Sequence, residues 1–161
     1  QNPPEKNFEH FSIVRTYYNS KGEVILPDTV AVGDLIIVEL SLQAKKRIQD
    51  ALVVDLIPAG FEIENQNLEH SIKLDNYAIG DKALIDRLAR NEIKYQAWLD
   101  DRYIAAIDLD VYNTQRLYYL LRAVTPGTYQ VPPPYAEDMY RPYIRAIGAT
   151  PEAQTIVNYN K

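Results

Sequence analysis

The chain has 161 residues, a formal net charge of −5 and a pI near 5.0, so it is long enough to bury the core of one domain. Its Lys and Arg residues are scattered rather than clustered, which excludes a nucleic-acid surface and disfavours an anionic membrane as a partner. It contains no cysteine, which excludes disulfides, thiolate metal sites and a cysteine nucleophile.

The N-terminal residues 1–10 are polar and include adjacent prolines, which predicts a leading arm or linker before a single domain over residues 11–161. Residues 11–18 and 24–26 then predict two short strands joined by the turn-forming residues 19–22. The chain starts with neither Met nor a signal-peptide pattern, and no apolar run approaches bilayer length. We therefore expect a piece of a longer protein.

Strict alternation of apolar and polar residues marks the next segment, residues 34–42. The apolar side chains that share one face are Ile36, Val38, Leu40 and Leu42. Glu39 and Ser41 fall on the other face, so the pattern predicts a half-buried strand.

A second alternating segment covers residues 51–57, where Leu52, Val54 and Leu56 share a face. The residues 58–60, Pro-Ala-Gly, fit a type I turn, and residues 61–65 follow as a short strand.

One helix is predicted, over residues 81–90. Asp81 has the residue type that caps a first turn, and Leu84, Ile85 and Leu88 share one helical face. We expect this short helix to lie across a sheet.

The remaining segments are again strand-like. Residues 93–98 and 103–109 predict a hairpin with an acidic turn, and residues 117–124 form an apolar and aromatic run typical of burial on both faces. Shorter strands are predicted over 128–131 and 143–147. Tyr95, Tyr103 and Tyr119 alternate with apolar residues, as core-facing side chains do. Together these segments predict a mainly β fold, an antiparallel β-sandwich with one short inserted α-helix.

No residue set has the spacing of a catalytic, nucleotide or metal site, so we expect no enzyme, no cofactor and no metal. His10 and His70 are far apart, and the six glycines form no phosphate loop. Asp108 and Asp110 lack the rest of a calcium-loop pattern. Asp100 and Asp101 are explained by a hairpin turn better than by a glycosidase carboxylate pair.

Three prolines, at residues 132–134, end the strand at Val131 and stiffen the stretch that follows, which we expect to be an exposed loop. That loop carries Met139 and Tyr140, bracketed by Asp138 and Arg141. An apolar Met beside an amphipathic Tyr fits a contact patch, and it equally fits packing at the core or rim of the sheet.

Several runs together resemble the C-terminal macroglobulin-like (receptor-binding-type) domain of bacterial alpha-2-macroglobulins. They are residues 55–65 (DLIPAGFEIEN), 100–102 (DDR), 121–129 (LRAVTPGTY) and 136–142 (AEDMYRP). The resemblance covers nearly the whole chain in the same order. It implies a β-sandwich of the macroglobulin or fibronectin type with an inserted helix.

The resemblance also implies a function. The family's full-length proteins are broad-range protease inhibitors of the periplasm, usually lipid-anchored to the inner membrane, that trap proteases through a thioester after a bait region is cut. A chain without cysteine is not the thioester domain. The implied role is to pack on that domain, with target proteases as partners of the full-length protein. A periplasmic peptidoglycan synthase is a further partner that the resemblance leaves open, and direct membrane contact by this domain is not expected.

A thioester is hydrolysed by water unless protein covers it. The resemblance points to Tyr140 as the residue that covers the thioester, with Met139 beside it and Asp138 and Arg141 flanking both.

The alternative from the residues alone is an extracellular adhesion or carbohydrate-binding sandwich, in which tyrosines would line an exposed platform. Solvent exposure of the tyrosines separates the two hypotheses. A hydrolase would need an acid, base or nucleophile set that the sequence does not supply.

Overall fold

The computed structural model describes residues 10–89, 92–150 and 154–159. Within these ranges most of the chain is organised as short strands, separated by turns rich in Gly, Pro, Asn and Asp. In chain order the strands are β1 Phe11–Asn19, β2 Val24–Ile25, β3 Thr29–Ala31, β4 Leu35–Ala44, β5 Ile48–Leu56, β6 Phe61–Ile63, β7 Ala78–Ile79, β8 Lys82–Ala83, β9 Ile93–Trp98, β10 Arg102–Leu109, β11 Gln115–Ala123, β12 Gly127–Gln130, β13 Tyr135–Asp138, β14 Arg145–Ile147 and β15 Gln154–Asn158.

Two five-stranded antiparallel sheets form the sandwich. The first sheet has the order β2-β1-β4-β11-β6 and the second β14-β13-β5-β10-β9. A small sheet, β12-β15-β3, closes one end through the parallel pair β15–β3, and β7 and β8 form a separate hairpin. The predicted antiparallel β-sandwich is therefore confirmed.

The core lies between the inner faces of the two sheets. Alternate residues of β4 and β11 supply the first sheet's share, and β5 and β10 supply the second's. Tyr103 and Tyr119 are both fully buried, and their rings stack with centroids 4.9 Å apart. Burial of apolar area at about 25 cal/mol per Å² makes this layer the main source of folding free energy.

A second, smaller apolar cluster covers the outer face of the first sheet. The segment that lies there runs from a 3₁₀ helix, Leu74–Asn76, to helix α1, Leu84–Arg87. Its residues Leu74 and Leu84 pack on a patch of the sheet formed by Ile37, Tyr118 and Leu120. β11 is therefore buried on both faces, as predicted. β4 is buried on both faces as well, since Ile37 and Glu39 lie under this layer, so the prediction of a half-buried strand was wrong.

The predicted helix over 81–90 is much shorter than expected, because α1 has four residues. Leu88 adopts an extended backbone, and the Ala89 amide leaves the helix to donate to the Arg116 carbonyl of β11. Asp81 is not the cap, since the Leu84 amide donates to the Tyr77 carbonyl instead. The position of the helix across a sheet was predicted correctly. Among the residues described, no helix is long and apolar enough to cross a bilayer.

In β5 the inner face is the opposite of the one that apolar alternation indicates. Ala51, Val53 and Asp55 are buried, whereas Leu52, Val54 and Leu56 are partly exposed. The reason is Asp55, whose charge is matched inside the sandwich by the Arg15 guanidinium. The alternation pattern counts every aspartate as solvent-facing, so it cannot distinguish a buried aspartate with a paired charge from an exposed one.

Tyr95 is also placed differently from the prediction, with 57% of its surface exposed. β9 is an edge strand, and its pairing of Gln96 with Ala105 turns Gln96 rather than Tyr95 toward the inner face. Tyr103 and Tyr119 face the core as predicted, and the Tyr103 hydroxyl donates to the Gln96 side chain at 2.6 Å.

The other predicted strands are present with shifted ends. Among the described residues five strands were not predicted: β3, β7, β13, β15 and β8, the last of which falls inside the predicted helix. The stretch 132–142 is therefore not one exposed loop, since β13 pairs with β5 and β14 inside it. The prolines do end β12 before Val131, as expected. The predicted leading arm, residues 1–10, lies outside the described residues except for His10, whose carbonyl accepts from the Lys45 amide.

Candidate functional site

The residues that connect β13 to β14, 139–144, form the site that the sequence singled out, and we call them the display loop. β13 lies between β5 and β14 in the second sheet, so the loop starts and ends on paired strands. β13 itself follows the three prolines and alternates buried Ala136 and Asp138 with half-buried Tyr135 and Glu137. The chain therefore reaches the loop in a fixed direction.

Asp138 folds the display loop from inside. Its side chain is 2% exposed, and its Oδ1 accepts the Tyr140 and Arg141 amides at 2.9 and 3.2 Å. Its Oδ2 accepts the Arg141 Nε at 3.1 Å, and the Ile144 amide closes the turn on the Arg141 carbonyl at 2.8 Å. Asp138 therefore shapes the loop from a buried position, and its predicted part in the interface beside Tyr140 stays a prediction.

The outward side of the loop carries long side chains with apolar bodies. Met139 is 39% exposed, Tyr140 73% and Tyr143 75%. Arg141 is half-exposed and paired with Asp138 at 3.0 Å. The other interpretation of Met139 and Tyr140 was packing at the core or rim of the sheet; these exposures do not fit core packing and are compatible with rim packing. A displayed thioether beside two phenol rings is the composition of a protein contact surface.

Asp50 of β5 is a residue that the sequence argument missed. Its carbonyl accepts the Met139 amide at 3.1 Å, and its Oδ2 accepts the Tyr140 hydroxyl at 3.0 Å. Asp50 lies at an irregularity of the β5–β10 pairing and has a φ of 60°. Asp is among the residues that tolerate a positive φ. That residue type directly before a predicted strand is the one sequence signal that could have indicated Asp50.

Charges around Asp50 hold its carboxylate ionised. Lys94 Nζ lies 2.7 Å from Asp50 Oδ1 and 3.2 Å from Asp108 Oδ1, and Asp108 Oδ1 also accepts the Asp50 amide at 3.0 Å. The hydrogen bond from Lys94, followed by that from Tyr140, lowers the pKa of Asp50. The same bond to Asp50 raises the pKa of the Tyr140 hydroxyl.

The acidic residues considered for other chemistry have structural partners. Asp110 accepts the Tyr112 and Asn113 amides at 2.8 and 2.9 Å, and Asp101 is paired with Arg102 at 3.0 Å. Within the described ranges, no group of three His, Asp or Glu side chains could hold a metal ion.

Comparison with known proteins supplies the family. Residues 11–142 match the family described as "Bacterial Alpha-2-macroglobulin MG10 domain". An alpha-2-macroglobulin of Xylella fastidiosa (strain 9a5c) is 39% identical over 155 residues, which are 96% of this chain and 9% of the relative. The chain thus spans a small part of the relatives that it matches.

Solved structures agree on the fold. Escherichia coli alpha-2-macroglobulin activated by porcine elastase superposes with a TM-score of 0.88 at 42% identity, covering 97% of this chain and 14% of that chain. Native Escherichia coli alpha-2-macroglobulin from domain MG7 to the C-terminus superposes with a TM-score of 0.86, also at 42% identity, covering 97% of this chain and 24% of that chain.

Proposed function

This chain belongs to the bacterial alpha-2-macroglobulin MG10 domain family, and from that premise we propose that it packs on the thioester domain of a longer protease inhibitor. There it shields the thioester until the bait region is cut. Alpha-2-macroglobulins are inhibitors rather than enzymes, so the domain contributes a contact and performs no catalysis. Because the chain belongs to this family, we do not propose the alternative function, an extracellular adhesion or carbohydrate-binding module.

One observation supports the shielding role above the rest: Met139 and Tyr140 are displayed side by side on a loop whose backbone is fixed by the buried Asp138. A fixed loop loses little conformational entropy when a partner covers it. Two side chains with large apolar bodies can then exclude water from the surface that they cover.

The chemistry to be prevented is acyl transfer from the thioester. Water adds to the thioester carbonyl carbon, the carbon–sulfur bond breaks, and a carboxylate and a free thiol result; an amine gives an amide and the same thiol. A single hydrogen bond between the Tyr140 hydroxyl and the thioester domain would contribute about 1 kcal/mol net, so exclusion of water has the greater effect. A contact of that strength can be released once the bait region is cut.

The proposal extends to the setting of the full-length protein. It places that protein in the periplasm, lipid-anchored to the inner membrane, with target proteases as the molecules trapped. Osmotic-shock fractionation of cells that express it, followed by carbonate washing of membranes, checks this part separately.

Hydroxyl-radical footprinting of the full-length inhibitor tests the contact. Met139 is the chain's sole methionine, so its oxidation reports on the display loop without ambiguity within this domain. We expect Met139 and Tyr140 to be labelled several-fold more slowly before bait-region cleavage than after it. Tyr159, equally exposed at 76% but beyond β15 at the opposite end of the sandwich, is the control and should not change. Equal labelling of Met139 and Tyr140 in both states would contradict the proposal.

A further inference from the structure

We propose that Asp50 is the positioning residue of the display loop, holding the Tyr140 ring in the orientation in which it meets the thioester domain. The inference rests on the proposed function, because the orientation matters only if Tyr140 contacts a partner. Asp50 itself contributes little to the outward surface, since its side chain is 13% exposed.

Asp50 binds two successive residues of the loop through different groups. Its backbone carbonyl accepts the Met139 amide at 3.1 Å, which fixes the base of the loop. Its carboxylate accepts the Tyr140 hydroxyl at 3.0 Å, which fixes the far end of a side chain that is otherwise 73% exposed. An exposed tyrosine tethered at its hydroxyl keeps one rotamer, whereas an untethered one samples several.

A β-bulge gives Asp50 this double reach. On β10, Ile107 pairs with Ala51 and Leu109 with Ile48, so two residues of β5, Gln49 and Asp50, oppose the single residue Asp108. Bulges redirect a side chain relative to the regular pleat, and the φ of 60° at Asp50 belongs to this one. The strand is locally bent so that one residue turns both its carbonyl and its carboxylate toward the neighbouring loop.

The charged neighbours keep the carboxylate an acceptor. Lys94 faces it from β9 at 2.7 Å, and Asp108 of β10 faces the same lysine at 3.2 Å. On the loop side, the Tyr140 hydroxyl is the partner of the Asp50 carboxylate. The negative charge of Asp138 also raises the pKa of that hydroxyl. Lys94 lies between the two carboxylates, and its hydrogen bond to Asp50 is the main reason that the pKa of Asp50 is lowered.

A chemical consequence follows for the partner domain. The Tyr140 hydroxyl has a single proton, and that proton is donated to Asp50. Toward a partner the phenol oxygen can therefore only accept, so the matching group on the thioester domain is an N–H or O–H donor.

The tether is measured in this 161-residue chain by titrating tyrosine labelled with carbon-13 at the ζ position, with the Tyr140 signal assigned through Tyr140→Phe. Asp50→Gly removes the carboxylate and keeps a residue that tolerates positive φ. We expect the pKa of Tyr140 to be raised in the natural chain and to return to about 10 in Asp50→Gly. Asp110→Asn is the matched control: it removes the charge of a nearby carboxylate that accepts from Tyr112 and Asn113, and it should leave Tyr140 unchanged. An unchanged titration in Asp50→Gly would overturn the proposal.

The effect on shielding is measured in the full-length inhibitor as the rate of methylamine incorporation before protease is added. We expect Asp50→Gly to raise this rate roughly twofold to fivefold, the effect of losing about one hydrogen bond. Tyr140→Phe should raise it at least as much, because it removes the tether and also the oxygen that accepts from the thioester domain. The double variant should not exceed Tyr140→Phe, in which the tether is already lost.

These arms separate the two proposals. Faster incorporation in Tyr140→Gly with no change in Asp50→Gly would overturn the role of Asp50 and leave the shielding function standing. No change in Tyr140→Gly would overturn the shielding function. Additive effects of Asp50→Gly and Tyr140→Phe would show that the two residues act separately, which contradicts the tether.

Discussion

Two aspartates on the same strand, β5, bind the same pair of groups in opposite surroundings. Asp55 is fully buried and accepts from Arg15 Nη1 and from the Tyr119 hydroxyl, both at 2.6 Å. Asp50 lies at the sheet end and accepts from Lys94 at 2.7 Å and from the Tyr140 hydroxyl at 3.0 Å. Each carboxylate therefore has one cation and one tyrosine.

Burial decides what each arrangement does. Desolvation raises the pKa of Asp55, although the Arg15 charge opposes the rise, so this carboxylate depends on its partners to stay ionised. Hydrogen bonds from Lys94 and Tyr140 lower the pKa of Asp50, whose side chain is 13% exposed. The first set joins β1, β5 and β11 across the sandwich, and the second orients an exposed loop. We therefore expect changes at Asp55 to affect folding and changes at Asp50 to affect contact.

The largest effect is expected at Asp55. Asp55→Ala leaves the Arg15 guanidinium, 3% exposed, without its buried counter-charge, and should lower the free energy of unfolding by about 3–5 kcal/mol. Urea denaturation followed by circular dichroism measures this. Arg15→Met combined with Asp55→Leu should lose less than Asp55→Ala alone, because no unpaired charge remains. If Asp55→Ala were as stable as the natural chain, the buried aspartate would not contribute to folding and the contrast with Asp50 would be wrong.

The next largest effect is expected when the tyrosine hydroxyl that donates to each aspartate is removed. Tyr119→Phe leaves a buried acceptor unsatisfied and should cost about 1–3 kcal/mol of folding free energy. Tyr140→Phe deletes the same atom at the surface, where water replaces the donor, so the urea midpoint should not move measurably. Equal losses in the two variants would show that burial does not distinguish the two sites.

A smaller effect, on orientation alone, is expected from pH. The lowered pKa of Asp50 means that the tether is complete above the ordinary value of 3.8 and is lost as the pH falls through the lowered value. The raised pKa of Tyr140 means that it is complete below 10.0 and is lost as the pH rises through the raised value. Nuclear Overhauser contacts between the Tyr140 ring and Asp50 should therefore persist from about pH 4 to pH 10. Loss of these contacts near neutral pH would contradict the assignment.

The sequence carried enough information for the sandwich because alternation reports burial wherever the side chains are apolar. β4 and β10 were predicted from that signal, and β11 was predicted from its continuous run of apolar and aromatic residues. Alternation failed at β5, where Asp55 points inward and its partners Arg15 and Tyr119 are 40 and 64 residues away in the chain. Helical spacing overestimated the length of α1, because its last turn is replaced by a backbone bond to β11 that no local pattern encodes.

The candidate site was predictable in part. Met139 and Tyr140 were selected by residue type and by resemblance, and the structure displays both at the surface. Asp50 was missed because its role depends on a β-bulge and on a contact 90 residues along the chain. The burial of Asp138 was missed for a related reason: a loop aspartate that folds the loop from inside has the same local sequence as one that faces solvent.

Loss of the thioester in the full-length inhibitor, before any protease is added, tests the central claim most directly. The natural protein is compared with Tyr140→Gly and with the equally exposed control Tyr159→Gly, with free thiol followed over time. The account predicts loss at least about fivefold faster in Tyr140→Gly, the effect of about 1 kcal/mol, and an unchanged rate in Tyr159→Gly. Equal rates in all three proteins, with the Tyr140→Gly domain still folded, would contradict it and leave the display loop without a part in shielding.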